Sequence, residues 1–224
     1  MTTEASSGRP PGWAELYRSG HFSTMLLLTF GVWLHAADEL MVSTITPAIV
    51  RDIGGEPYVA WLTALYEVGC IVAGAGSALA ALTFGLSRAL AAAALLYGAG
   101  CFVSGLAPGM EAMLAGRSMQ GIGGGAMIAL AFVSIHRILP EALTARAYAL
   151  LSVVWGVAAF SGPMIGAAFE EAGNWRWAFH FYGVQAFIFS SLALTRLGGV
   201  ISAGGIRPSM PWRVLLLAAG VIAI

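Results

Sequence analysis

Five ionisable residues fall inside stretches that are otherwise apolar: His35, Asp38 and Glu39 in "HAADELMVSTITPAI", then Glu67 and Arg117. A charge at the centre of a membrane helix costs a few kcal/mol on insertion scales, and such residues face a bundle interior or a wet cavity and mark ion or substrate paths. The chemistry open to this set is proton exchange. Burial favours the neutral form of a carboxyl and a neighbouring guanidinium favours the charged form. A carboxyl held between the two influences can take up and release a proton near neutral pH. His35 lies three residues from Asp38 and four from Glu39, so either carboxyl can meet the imidazole on a helix surface. Asp38 and Glu39 project about 100° apart, so one can face a bundle centre while the other turns aside. The competing reading is a fixed pair between Arg117 and a carboxylate that only locks helices together.

The elements that must hold these residues are membrane helices. Of the 224 residues 58% are hydrophobic and only 10% charged, with a mean hydropathy of +0.81. Soluble domains carry about 25% charged residues, so the solvent of this chain is lipid. A bilayer core of about 30 Å needs about 20 helical residues, and six segments meet that length, near 22–49, 58–82, 87–107, 110–136, 144–169 and 177–198. Short breaks with turn chemistry separate them, among them "RDIGGEP", "FGLSR" and "APGME", so consecutive helices are expected to be antiparallel neighbours. With Pro47 and Tyr58 taken as span ends, Asp38 and Glu67 both fall about 13 Å below one surface, and Arg117 about 10 Å, at helical rise. Three groups on three helices therefore share one level.

The basic residues are all Arg, eleven in number. With the N-terminus inside, eight of them lie in inside segments and only Arg51 and Arg176 in outside loops, which predicts a cytoplasmic N-terminus and a multi-pass protein of the plasma (inner) membrane. Residues 1–20 are expected to form a cytoplasmic tail rather than a signal peptide, residues 21–198 a six-span bundle, and residues 199–224 a cytoplasmic link with the start of a seventh span. That last apolar run begins at Val214 and has eleven residues, about half a bilayer. The expectation is the front portion of a longer protein or a truncated product, with a missing C-terminal half required. Cys70 and Cys101 fall within apolar spans and read as packing residues.

The fourth span carries "RSMQGIGGGAMIALAF". Its glycines are not followed by G-K-[ST], which argues against a phosphate loop. Within a membrane, glycine lets a neighbouring backbone approach closely. In the fifth span "SGPMIG" offers the same through Gly162 and Gly166, with Pro163 removing a backbone N–H. Neither G-x-S-x-G nor a paired His-Glu metal motif occurs, so no enzyme activity, cofactor or metal is expected. Nor is a nucleic-acid partner.

In order along the chain, four motifs resemble those of the major facilitator superfamily, in particular its drug:proton antiporter branches. "DELMVSTITPAI" resembles the first-helix motif through Asp38 and Pro47. "RSMQGIGGGA" resembles the fourth-helix motif through Arg117, Gln120 and Gly121, with Gly125 at its end. "GVAAFSGPMIG" resembles the fifth-helix antiporter motif through Gly156, Gly162, Pro163 and Gly166. "NWRWAFHF" resembles the opening of the sixth helix through Trp175, Arg176, Trp177 and Phe179. One motif departs. The family's loop between helices two and three reads like G-x-L-A-D-R-x-G-R-R and acts as a charge-relay latch; here Leu82 and Thr83 stand at its Asp-Arg pair, with Gly85 and Arg88 nearby. Glu67 is a second departure, since the family usually has an apolar residue there.

The resemblance implies an all-α membrane fold, the N-terminal six-helix bundle of a facilitator transporter built from two inverted three-helix repeats. The short link after Arg196 favours the 14-span branch. The implied function is proton-coupled export of small amphiphilic compounds, with protons, a small-molecule substrate and membrane lipid as partners. Asp38 would be the proton carrier and Arg117 its switch partner, with Glu39, Glu67 and His35 as further proton-coupling candidates. Trp33, Met41, Trp155 and Gln120 would contact substrate near the midplane. The alternatives are a non-transporting fragment of such a transporter, or a facilitator for another small solute.

Overall fold

The computed structural model describes residues 21–197. The expected tail and the link with its seventh span lie outside the described residues. Six helices follow one another: α1 Phe22–Ile53, α2 Val59–Phe84, α3 Leu86–Gly105, α4 Met110–Ile138, α5 Glu141–Glu171 and α6 Arg176–Leu197. A single 3₁₀ turn, Glu56–Tyr58, leads into α2. All six are long and apolar enough to cross a membrane.

The spans match the expected ones closely, with one correction. Pro47 does not end the first helix: it lies inside α1, which runs on to Ile53. A proline within a helix removes one N–H donor. Around it the hydroxyls of Ser43 and Thr46 bond back to the Leu40 and Val42 carbonyls at 2.7 Å each. The stop is supplied instead by Gly54 and Gly55, with φ of 69° and 86°. Only glycine adopts this left-handed backbone freely, and the Gly54 N–H closes the last turn on the Val50 carbonyl at 2.9 Å. At Gly85 the same device is compressed to one residue: φ is 85°, and it alone separates α2 from α3. Pro163 likewise sits within an unbroken α5.

Packing follows a two-fold rule. The broadest helix contacts are α2 with α4, α3 with α4, α3 with α6, and α1 with α5. Exchanging α1 with α4, α2 with α5 and α3 with α6 turns the α2–α4 contact into the α5–α1 contact and leaves α3–α6 in place. Three spans per repeat is an odd number, so the second repeat starts from the opposite face. The bundle is thus a pair of inverted repeats. The symmetry is imperfect, because α3–α4 is much broader than its counterpart α6–α1. Glycine explains the difference. A Cβ on Gly100 would come within 2.7 Å of the Gln120 backbone nitrogen, and one on Gly116 within 2.8 Å of the Ser104 nitrogen. There the backbones of α3 and α4 touch. On α1, Gly31 is instead filled by the Phe189 ring of α6, 2.8 Å from the position of a Cβ, which holds those two backbones apart.

The end of the bundle that carries the α1–α2, α3–α4 and α5–α6 turns is tied by charge. Arg176 donates to Asp52 at 3.0 Å and to the Ala107 and Gly105 carbonyls at 2.7 and 3.3 Å, and its guanidinium lies 4.4 Å from the Trp175 ring centroid. It therefore joins the ends of α1 and α3 to the start of α6, and this accounts for the "NWRW" segment. Arg51 pairs with Glu170 at 2.7 Å, but its side chain is 68% exposed. Arg176→Ala leaves two carbonyls without a donor and is expected to lower stability by about 1–3 kcal/mol. Arg51→Ala is expected to cost less than about 1 kcal/mol, as exposed pairs do. Denaturant unfolding of both variants, followed by helical circular dichroism, checks the order.

Candidate proton and substrate site

The shared level of the charges resolves into two groups. The first is closed. Arg117 and Asp38, with side chains 1% and 0% exposed, form an ion pair at 2.9 Å between α4 and α1. Taking two charges out of water is compensated only when the remaining donors and acceptors are satisfied too, and here they are. Arg117 also donates to the Gln120 Oε1 at 3.1 Å and to the Leu62 carbonyl at 3.3 Å. Its guanidinium lies 4.0 Å from the Tyr66 ring centroid. Gln120 approaches both Asp38 oxygens at 3.4 and 3.5 Å, donates to the Cys101 sulfur at 3.0 Å and accepts from Ser104 at 3.2 Å.

The second group is open. Glu39, one residue past Asp38, turns away from Arg117 and is half-buried, as is Glu67 on α2. The two carboxyls are electrostatic neighbours across the α1–α2 contact. His35 is buried and its Nε2 lies 3.9 Å from Glu39 Oε2. Of the two carboxyls the spacing allowed, the imidazole therefore meets Glu39. Its Nδ1 shares a 2.7 Å hydrogen bond with the Tyr66 hydroxyl, which also reaches the His35 carbonyl at 3.2 Å.

Tyr66 touches both groups, stacking on His35 with ring centroids 5.2 Å apart while lying under Arg117. The sequence reading missed it, although a tyrosine inside an apolar span, next to Glu67, needs a partner for its hydroxyl. Cys101, Ser104 and Tyr97 were missed as well. Tyr97 donates to the Leu34 carbonyl at 3.1 Å, tying α3 to α1 beside Asp38.

The expected substrate residues separate. Trp155 is 41% exposed and meets the His35 ring edge-on at 6.1 Å, so it borders the open group. Trp33 is half-buried, donates to Ser161 of α5 at 2.9 Å and stacks on Phe30. Met41 is fully buried in the contact between α1 and Gly166 of α5. Gln120 belongs to the closed ion-pair group.

The motif glycines also divide by what they face. A Cβ on Gly121 or Gly125 would run into the backbone of Tyr66 or Cys70 on α2, and one on Gly162 would sit 2.5 Å from the Ala37 carbonyl of α1. Gly166 is looser, 3.1 Å from the Met41 carbonyl. Gly156 has nothing within 4 Å and is exposed on α5. Gly156→Ala is therefore expected to raise the chain's own stability by up to about 1 kcal/mol, since alanine is the better helix former. Denaturant unfolding of the variant checks this, and a loss of stability would reveal a contact at Gly156.

The chain is similar to known proteins. A probable multidrug-efflux transporter of Mycobacterium tuberculosis (strain ATCC 25618 / H37Rv) is 35% identical over the whole chain, which covers 48% of that protein. The multidrug transporter protein MdtP of Bacillus subtilis (strain 168) is 29% identical over 80% of the chain and 35% of its own length. The chain thus spans about half the length, or less, of these relatives. Among solved structures, a peptide transporter in complex with sulfate superposes with a TM-score of 0.71 at 17% identity, covering 96% of this chain and 46% of that one. The inward open xylose transporter XylE from E. coli gives 0.64 at 20% identity, covering 90% and 51%. The sequence profile of the Major Facilitator Superfamily matches residues 28–204, and the chain belongs to that family.

Proposed function

We propose that this chain is the N-terminal six-span bundle of a proton-coupled exporter of small amphiphilic compounds. The observation that carries the reading is the buried Asp38–Arg117 pair set against the open Glu39–Glu67 pair, with His35 and Tyr66 between them. In this account Asp38 takes a proton when the bundle rearranges and releases Arg117 to its other partners, Gln120 and the Leu62 carbonyl. The half-buried Glu39 and Glu67 pass protons between Asp38 and the open face. A cationic or amphiphilic substrate would meet Glu39, Glu67 and Trp155 there. The multidrug-efflux names of the relatives favour this substrate class over a sugar or peptide.

A second half is part of the proposal. The most apolar windows of α2 and α5 are only 22% buried, against 72% for α1, and large side chains such as Trp61, Phe160 and Met164 stand out from them. These are the faces a second bundle would cover. The proposed orientation has the N-terminus in the cytoplasm of a plasma (inner) membrane, as the Arg distribution favours. The test of this part is expression of the chain alone and together with a C-terminal half, followed by substrate export. Export only with both halves supports it. Export by the six spans alone refutes the need for a second bundle.

The latch is the point where another reading gains ground. Thr83 spends its hydroxyl on the Leu79 carbonyl at 2.9 Å, and no Asp-Arg pair stands at the α2–α3 turn. A protein that binds substrate but does not cycle would explain this. Restoring the pair by Leu82→Asp with Thr83→Arg is expected to raise export at least severalfold if cycling limits the rate.

A further inference from the structure

A groove of about 480 Å³ runs between α2 and α3, with α4 as its floor. Small side chains hollow it: Ala73 and Ala80 on α2, Ala92 on α3 and Ala126 on α4. Its lining is apolar apart from Ser77, whose hydroxyl bonds back to the Ala73 carbonyl at 2.6 Å, and one end, where Arg88 stands beside Phe84 at the α2–α3 turn. Phe84 is 62% exposed. Arg88 is exposed too and makes no hydrogen bond or ion pair among the described residues.

The dimensions fit one lipid leaflet. From Phe84 at the turn to Ala73 along α2 is about 16 Å at helical rise, close to half of a 30 Å hydrocarbon core. The groove therefore begins where headgroups lie and ends near the midplane, with its single charge at the headgroup end. That is the shape and charge pattern of one acyl chain joined to an anionic headgroup. A basic residue at the membrane edge beside an apolar cleft is the setting in which headgroup phosphates are held, and an arginine fork matches phosphate in a bidentate way.

We propose that this groove seats one acyl chain of an anionic phospholipid, with its phosphate on Arg88. The bound lipid's phosphate supplies at the α2–α3 turn the negative charge that the sequence lacks there, and an anionic lipid supplies it without the compensating headgroup cation of a zwitterionic one. A helix of a second protein bundle is the competing occupant.

The purified chain in mild detergent, offered phosphatidylglycerol and phosphatidylcholine with the same acyl chains, tests the site by native mass spectrometry. Ala92 is exposed, so Ala92→Trp fills the groove without entering the core, and Arg88→Gln removes the charge. Equal helicity of all three proteins is checked by circular dichroism. Wild type is expected to retain one phosphatidylglycerol with about five-fold preference, the size expected for one basic residue near a headgroup layer. Arg88→Gln should bind both lipids equally, and Ala92→Trp should bind neither above background. Preference unchanged in Arg88→Gln overturns the headgroup assignment. Full retention by Ala92→Trp overturns the groove as the seat and leaves it to a protein helix.

Discussion

Replacing Arg117 with methionine is expected to destabilise the bundle by about 3–5 kcal/mol, the cost of leaving one member of a buried ion pair without its partner. Asp38 is 0% exposed, and the polar groups left beside it are Gln120, whose amide approaches at 3.4 Å at best, and the Tyr97 hydroxyl, which already donates to the Leu34 carbonyl. The same substitution strips a donor from the Leu62 carbonyl and a cation from the Tyr66 ring. Adding Asp38→Asn to Arg117→Met should recover at least half of the loss, because the orphaned charge is then gone. Asp38→Asn alone should fall between the two, since Arg117 keeps Gln120 and the Leu62 carbonyl. Urea unfolding of the four proteins in one detergent, read by circular dichroism as a double-mutant cycle, measures the coupling. Losses that simply add would mean that the pair contributes little beyond its separate contacts.

The second large effect is steric. Gly121→Ala adds one methyl group where the Tyr66 backbone of α2 already stands, and Gly125→Ala does so against Cys70. The obstacle in both cases is backbone, which cannot turn aside as a flexible side chain can, so α2 must move as a unit. Overpacking usually costs 1–3 kcal/mol, and these two sites should reach about 3 kcal/mol or more. They should also disturb the other contacts Tyr66 makes, with His35 and with Arg117. Gly166→Ala, where the nearest atom is the Met41 carbonyl at 3.1 Å, should cost about 1 kcal/mol or less. Unfolding midpoints, with a spin-label distance between α2 and α4, check both the order and its cause. A neutral Gly121→Ala would mean that the helices are not in backbone contact there.

How much of this was legible in the sequence depends on the kind of signal. The six spans were, because hydropathy and length act over twenty residues and tolerate errors at the ends. The end of α1 was misplaced at Pro47 because proline removes only one hydrogen bond, while the Gly54–Gly55 pair supplies the left-handed turn that stops the helix. That Arg117 meets a carboxylate was anticipated from depth, since unlike charges buried at one level have strong reason to pair; that the carboxylate is Asp38 followed only from the family resemblance. What spacing could not decide was the partner of each carboxyl. His35 could reach Asp38 or Glu39, and only the placement of α2 and α4 around α1 commits it to Glu39. Tyr66 escaped notice because its role depends on three helices at once, and one sequence carries no record of such neighbours. The reach of Gln120 toward Cys101 and Ser104 is legible only once α3 and α4 are seen to touch through Gly100 and Gly116.

The measurement that bears most directly on the proposed mechanism is substrate-driven proton movement in inverted membrane vesicles. The vesicles would hold these six spans together with a second half, at equal protein levels for wild type and Asp38→Asn. A panel of lipophilic cations is added and collapse of the imposed pH gradient is followed by a fluorescent probe. The account predicts that one or more of these compounds collapses the gradient with wild type and that the response disappears in Asp38→Asn. Gradient collapse of undiminished size in Asp38→Asn would contradict it and move the carrier to the Glu39–Glu67 pair.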